Sequence, residues 1–372
     1  MKCPLCRLSK FETILEKKAI PIFTSADDES RVDFGKHNCI LNQCRACGHI
    51  FQPASKKLKN ALQKIYDSEY AQLTTSLGEG NWGEERAIYL FEKLNSINEF
   101  KTKSILEIGC GNGYILKSLS KRGFKDLVGI DPSINLEKQT KGIKFLREFI
   151  TSDLKLNSKF DFIFSFGVYE HIDDINSVTS FCTNHLKEGG SLFIYVPNCK
   201  KGLALGDPAL FIHEHIQYFV PDLIKYHLST HGYEIVDDQS DDHAIAVYAK
   251  KNAEVYEEKY IIDSHKEFQN KINEKLELFK TSLCKDDNVI IHGACNSLNN
   301  ILGWQDADFN FTLVDNDNTK YGKTFYDKKV EPLSAIDLAN YGTVLILPAY
   351  YSDAIKADYL KKGFQGKFVN IA

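Results

Sequence analysis

The stretch SILEIGCGNGYILKSL, residues 104–119, constrains the fold more than any other part of this chain. An apolar run of strand length leads into three glycines, Gly109, Gly111 and Gly113, at every second position, and then into a helical pattern. Glycine enters the left-handed region without a side-chain penalty and lets backbone amides approach a ligand closely. The segment therefore reads as a buried strand, a ligand-binding turn and a helix. A second strand, DLVGID, ends in Asp131, and FDFIFSFG follows. A helix near residues 175–186, the strand GGSLFIYVPN, a helix at 221–231 and two closing strands, YEIVDD and AIAVYAK, complete the series. Strands interleaved with helices predict a doubly wound, mainly parallel α/β sheet.

A glycine-rich turn alone also occurs in dinucleotide-binding domains. Three details favour S-adenosylmethionine instead. The spacing is G-x-G-x-G rather than G-x-G-x-x-G, and Glu107 lies inside the strand end, where it would repel a pyrophosphate but suit a sulfonium and amino group. Asp131, at the end of the next strand, is placed to accept both ribose hydroxyls.

At 372 residues the chain exceeds the usual size of one domain. Four cysteines form two close pairs near the N-terminus, Cys3 with Cys6 in KCPLC and Cys44 with Cys47 in NQCRACG. Two residues between thiols let one tight turn aim both sulfurs at one ion, and two such turns complete a tetrahedral four-thiolate zinc site. Four thiolates close the coordination sphere, so this zinc supports folding rather than chemistry. Cys39 and His37 are less well placed and read as non-ligands. The expected division is a zinc-binding domain at 1–55 and a methyl-donor-binding domain at 56–252, with 56–100 as a helical lead-in. A smaller Rossmann-like α/β domain with a linker helix is expected at 253–372. In that last part, GACNSLNNIL lacks a dinucleotide fingerprint, so no second cofactor is expected there.

Lys plus Arg number 46 against 50 Asp plus Glu, a formal charge of −4, so nothing global attracts a polyanion and no nucleic-acid partner is expected. The N-terminus carries cysteines and charges where a secretory signal would carry an apolar run, and no stretch has the length of a membrane span. A cytoplasmic protein without membrane contact is the expectation.

Residues 104–250 resemble a class I S-adenosylmethionine-dependent methyltransferase, with Glu107, Gly109, Gly111 and Asp131 as the matching residues. The resemblance implies that Asp153, in ITSDL, meets the adenine, and that FSFGVYEHI, containing Phe166, is the segment after the fourth strand. The order of the whole chain is similar to the sugar C-methyltransferases that act on nucleotide-linked 4-keto-6-deoxy sugars. Shared features are the four-cysteine domain, the methyltransferase core with HEH-x-x-YF, and a C-terminal Rossmann-like domain. This resemblance implies catalytic roles for Tyr70 in DSEYAQLTT, His171 in VYEHI, and Glu214 with His215. The chain departs from the family pattern at Ile212 and Gln72, where tyrosines stand, and at the HAIAVYAK strand. Those departures bear on the substrate.

The segment FIHEHIQYF therefore carries the chemistry to be explained. An extended backbone would place His213 and His215 on one face, whereas a helix would point them apart. Metal binding would need a third ligand from elsewhere. The expected role is that of a base: carbon beside a ketone is nucleophilic only as the enolate, and His215, oriented by Glu214, can remove that proton. Donors such as Tyr70 or His171 can steady the developing oxyanion. Methylation of oxygen or nitrogen on a sugar or related metabolite is the nearest alternative, and a zinc-ribbon RNA methyltransferase is a further one.

Overall fold

A computed structural model describes residues 1–22, 35–66, 88–92, 103–136, 140–151, 153–252, 264–284, 288–305, 309–348 and 351–371. The chain divides into two compact units: Met1–Glu12, Gln43–Lys200 and Glu214–Asp263 form the first, and Thr13–Asn42, Lys201–His213 and Ser264–Ala372 the second. Residues 1–55 are thus shared between the two. Strands β1 (Phe11–Pro21) and β2 (Lys36–Cys44) belong mostly to the second unit. Among the described residues no helix is long and apolar enough to cross a membrane.

In the first unit a short β3 (Ile50–Phe51) precedes helix α1 (Lys56–Tyr66), and the main sheet then begins. Its elements are β4 (Ser104–Ile108), α2 (Tyr114–Lys121), β5 (Asp126–Ile130), β6 (Ile143–Leu146), β7 (Phe160–Phe166), α3 (Ile175–His185) and β8 (Leu186–Pro197). The small helix α4 (Lys200–Leu205) leads into the second unit. Back in the first unit come β9 (Gln217–Tyr218), α5 (Pro221–Ser229), β10 (Tyr233–Asp238) and β11 (Ala244–Lys251).

The main sheet has seven strands in the order β10-β11-β8-β7-β4-β5-β6. Strands β4 to β8 are parallel, while β11 runs antiparallel to both of its neighbours. This differs from the dinucleotide-binding order by the reversed strand inserted at one side. Alternation along the strands sends Leu106, Ile108, Val128 and Ile130 into one core and Ile105, Leu127, Phe162 and Phe164 into another. Both faces are covered, as a parallel sheet requires. The chain leaves β4 for β5 on one side, while β7 pairs on the other. That reversal opens the crevice at the carboxyl ends of the strands where ligands of such sheets bind.

The second unit contains α6 (Phe268–Cys284), β12 (Val289–His292), α7 (Asn296–Trp304), β13 (Thr312–Asp315), β14 (Thr324–Phe325), β15 (Lys328–Pro332), β16 (Thr343–Ile346), α8 (Ser352–Lys361) and β17 (Lys367–Asn370). Its sheet runs β14-β15-β13-β12-β16-β17, parallel except at the β14–β15 hairpin. Of the linker helix expected from residue 254 to 281, the described part is α6.

Candidate functional site

The turn after β4 takes the shape that its glycines allow. Gly109, Gly111 and Gly113 have φ of 68°, 51° and 73°, all in the left-handed region. Gly109 also permits a close approach, because a Cβ there would stand 2.3 Å from Cγ2 of Val168 in the loop after β7. The amides of Gly109 and Cys110 donate to the Ile130 carbonyl at 2.8 and 3.2 Å, tying the turn to the end of β5. Asp131, the next residue, completes the tie. Its Oδ2 accepts from the Gly111 amide at 2.8 Å, and its Oδ1 accepts from the Ser133 amide at 2.8 Å and the Ser133 hydroxyl at 2.6 Å.

A carboxylate offers about four acceptor positions. Three are used here, so Asp131 keeps about one, on Oδ2, for a direct bond to a ligand hydroxyl. Glu107 lies buried near the carboxyl end of β4. Phe166, at the end of β7, packs against Phe193 and Tyr195 with ring centroids 5.4 and 5.0 Å apart. Asp153 lies exposed on a turn after β6. The Cys110 thiol is pushed well above its ordinary value by burial, which suits packing rather than attack.

A second set of groups meets at the same sheet edge. The loop after β7 winds into a 3₁₀ turn, Tyr169–His171, and residues 214–216 run beside it. The Ile216 amide donates to the Glu170 carbonyl at 2.6 Å, and the Gln52 side-chain amide donates to the His215 carbonyl at 2.9 Å. His171 Nδ1 lies 3.0 Å from the Glu214 carbonyl oxygen. A carbonyl only accepts, so Nδ1 carries the hydrogen and the neutral ring has its lone pair on Nε2. That nitrogen is 3.9 Å from Glu170 Oε1. The His171 and His215 rings meet edge to face, centroids 4.9 Å apart with 79° between planes.

Burial holds the His171 imidazole down to about 4. Burial and the neighbouring His171 hold His215 well below the ordinary histidine value, so both rings are neutral near pH 7. Burial raises the Glu214 carboxyl to about 7. His213 faces other surroundings. It belongs to the second unit, where its ring lies 5.0 Å from Phe211 and 6.0 Å from His37. Neither an extended strand nor a helix describes the segment: His213 and Glu214 form a turn, and the division between the units falls between them. The residue that sequence reasoning passed over is Glu170. It stands beside His171 in VYEHI, so the signal was an adjacent acid–imidazole pair.

A family model described as "Methyltransferase domain" matches residues 82–238. This span includes the glycine turn, Asp131 and the Glu170–His171 and Glu214–His215 pairs. These residues carry a methyltransferase domain. Among curated relatives, the tRNA U34 carboxymethyltransferase of Campylobacter hominis is 30% identical over 122 residues, 30% of this chain and 42% of the relative. The ubiquinone biosynthesis O-methyltransferase of Rickettsia canadensis is 30% identical over 158 residues, 40% of this chain and 62% of the relative. This chain thus spans about half the length of those two relatives, and neither is named for a sugar. A solved structure, the N-methyltransferase NodS of Bradyrhizobium japonicum with S-adenosyl-L-homocysteine, is 17% identical over 52% of this chain and 98% of its own, with a TM-score of 0.38.

Beside the methyltransferase sheet, the four cysteines of the two pairs converge, with all sulfurs within 4.8 Å of one another. Cys3 and Cys47 sulfurs are 3.6 Å apart, and those of Cys6 and Cys44 3.5 Å. Zinc–sulfur bonds of about 2.3 Å make a tetrahedron with edges of about 3.8 Å, so the donor set fits a zinc ion. The two knuckles repeat each other. Arg7 N donates to Cys3 O and Gly48 N to Cys44 O, while Cys3 N and Cys44 N reach the carbonyls of Leu8 and His49. The residue after each second cysteine is left-handed, Arg7 at φ 64° and Gly48 at 73°. Cys39 and His37 are not members of this cluster. Tyr70 lies outside the described residues.

Proposed function

We propose that this chain transfers the methyl group of S-adenosylmethionine to a small acceptor bound at the carboxyl edge of the methyltransferase sheet. The favoured acceptor is a nucleotide-linked 4-keto-6-deoxy sugar, methylated on the carbon beside its ketone. The meeting of the His171 and His215 rings, with the Glu214 carbonyl holding His171, at the carboxyl edge of the sheet is the observation that carries this reading. Methyl transfer from a sulfonium is an in-line displacement with a good leaving group, so the protein must align donor and acceptor and supply the nucleophile. The Glu214–His215 pair receives the proton lost from the acceptor. His171, with its hydrogen held on Nδ1 by the Glu214 carbonyl, presents an accepting Nε2 and orients a donor group of the acceptor. The four-cysteine cluster, holding zinc, supports the fold alone.

The substrate class rests on the resemblance of the whole chain, in particular the four-cysteine pairs together with HEH-x-x-YF. O-methylation is the second reading, favoured by the match to a ubiquinone O-methyltransferase. A match to an enzyme named for tRNA leaves the expectation of no nucleic-acid partner without support. Solvent deuterium exchange tests the proposal. With S-adenosylhomocysteine in place of the donor, the carbon beside the sugar ketone exchanges in wild-type protein, and His215→Asn slows it by about 10² to 10⁴ while cofactor affinity is kept. Exchange at the wild-type rate in that variant refutes the role of the pair.

A further inference from the structure

We infer that Glu170, His171 and His215 form a binding site for one divalent cation. The ligating atoms of these three residues all lie within 4.8 Å of one another, with Glu170 Oε1 and His171 Nε2 at 3.9 Å. Two imidazoles and one carboxylate are the donor set of the facial triads that hold divalent first-row metals and leave the opposite coordination positions open. Ligand edges around such an ion are about 3.0 to 3.4 Å, so closing the site asks for side-chain shifts of about 1 Å.

Two features beyond proximity support the assignment. The Nδ1 hydrogen of His171 is committed to the Glu214 carbonyl at 3.0 Å, the outer-sphere bond that orients metal-ligating histidines and fixes their tautomer. Glu170 is only 3% exposed, and its carbonyl holds Ile216 at 2.6 Å, which fixes the backbone of both ligand segments against each other. A carboxylate taken so far from water gains from a cation shared with two neutral rings.

The inference rests on the proposal that the acceptor binds at this edge, and it refines the chemistry there. An ion held on one side by three protein ligands binds the acceptor oxygen on its open side and stabilises the charge that develops on it. His215 is then a ligand. The carbon–hydrogen bond beside the ketone breaks with its proton passing to Glu214, its electron pair forming the enolate whose oxygen rests on the ion. That enolate carbon then takes the methyl group as the thioether leaves.

Manganese(II) titration followed by electron paramagnetic resonance tests the site in the full chain with its cysteine-bound metal retained, because thiolates disfavour this ion. The expected result is one Mn²⁺ withdrawn from the free-ion signal per wild-type chain. Glu170→Gln and His171→Ala should each weaken that binding at least about tenfold. Calorimetric binding of S-adenosylhomocysteine, unchanged in both variants, shows that they are folded. A wild-type signal equal to buffer, or equal Mn²⁺ binding by folded variants, overturns the inference. If Mn²⁺ fails to bind while His215→Asn still abolishes deuterium exchange, the acid–base proposal stands and the cation site falls.

Discussion

Replacing Asp131 by alanine tests whether this carboxylate, besides tying the glycine turn, binds the ribose of the cofactor. It accepts three bonds within the protein, from the Gly111 amide at 2.8 Å, the Ser133 amide at 2.8 Å and the Ser133 hydroxyl at 2.6 Å. About one acceptor position remains for a ribose hydroxyl, and a hydrogen bond to a charged group contributes about 1.5 to 3 kcal/mol. Asp131→Ala should therefore raise the dissociation constant of S-adenosylhomocysteine by about 10- to 150-fold, since each factor of ten is about 1.4 kcal/mol. Loosening of the glycine turn adds to this loss. Ser133→Ala supplies the control: it returns an Oδ1 position to the ligand, so affinity should hold or rise. Isothermal titration of both variants decides the matter. An unchanged constant in Asp131→Ala removes this residue from the cofactor site, and a tenfold loss in Ser133→Ala refutes the count of acceptor positions.

Two other predictions concern stability. Purified protein should contain about one zinc per chain by elemental analysis, and Cys44→Ser should lose both the ion and cooperative unfolding rather than turnover alone; zinc-free wild-type protein that unfolds normally contradicts this. His227 is fully buried against Thr179 at 2.7 Å, and burial, then His231 and His49, hold its imidazole well below the ordinary value. The unfolded chain thus takes up this proton first, so stability is full above about pH 6.5 and falls below it by up to about 1.4 kcal/mol per pH unit. Urea unfolding from pH 7 to 5 should show a shallower fall in His227→Gln, and parallel slopes would acquit this histidine.

The main sheet was legible because its signals are local: an apolar run, glycines at alternate positions and an acid at the next strand end each need only a few residues. Both Cys-x-x-Cys pairs were legible for the same reason. The histidine segment was not. Whether His213 and His215 share a face depends on the turn at His213–Glu214 and on the residues after it, where the His215 carbonyl accepts from Gln52 and the Ile216 amide donates to Glu170, both far away in the chain. Spacing rules for strands and helices do not see such bonds. Glu170 went unread because its relation to His215 is made by folding. The use of Asp131 by its own turn was likewise hidden: sequence places an acid at a strand end but does not count the protein donors that reach it.

The most direct test of the account uses S-adenosylmethionine carrying a deuterated methyl group, offered to the protein together with nucleotide-linked 4-keto-6-deoxy sugars and with tRNA. Mass spectrometry follows the label and NMR locates it. Label is expected on the sugar carbon beside the ketone, lost in His215→Asn and retained in Cys39→Ala. Label on tRNA alone, or none on any acceptor from protein that fails to bind the donor, would contradict it.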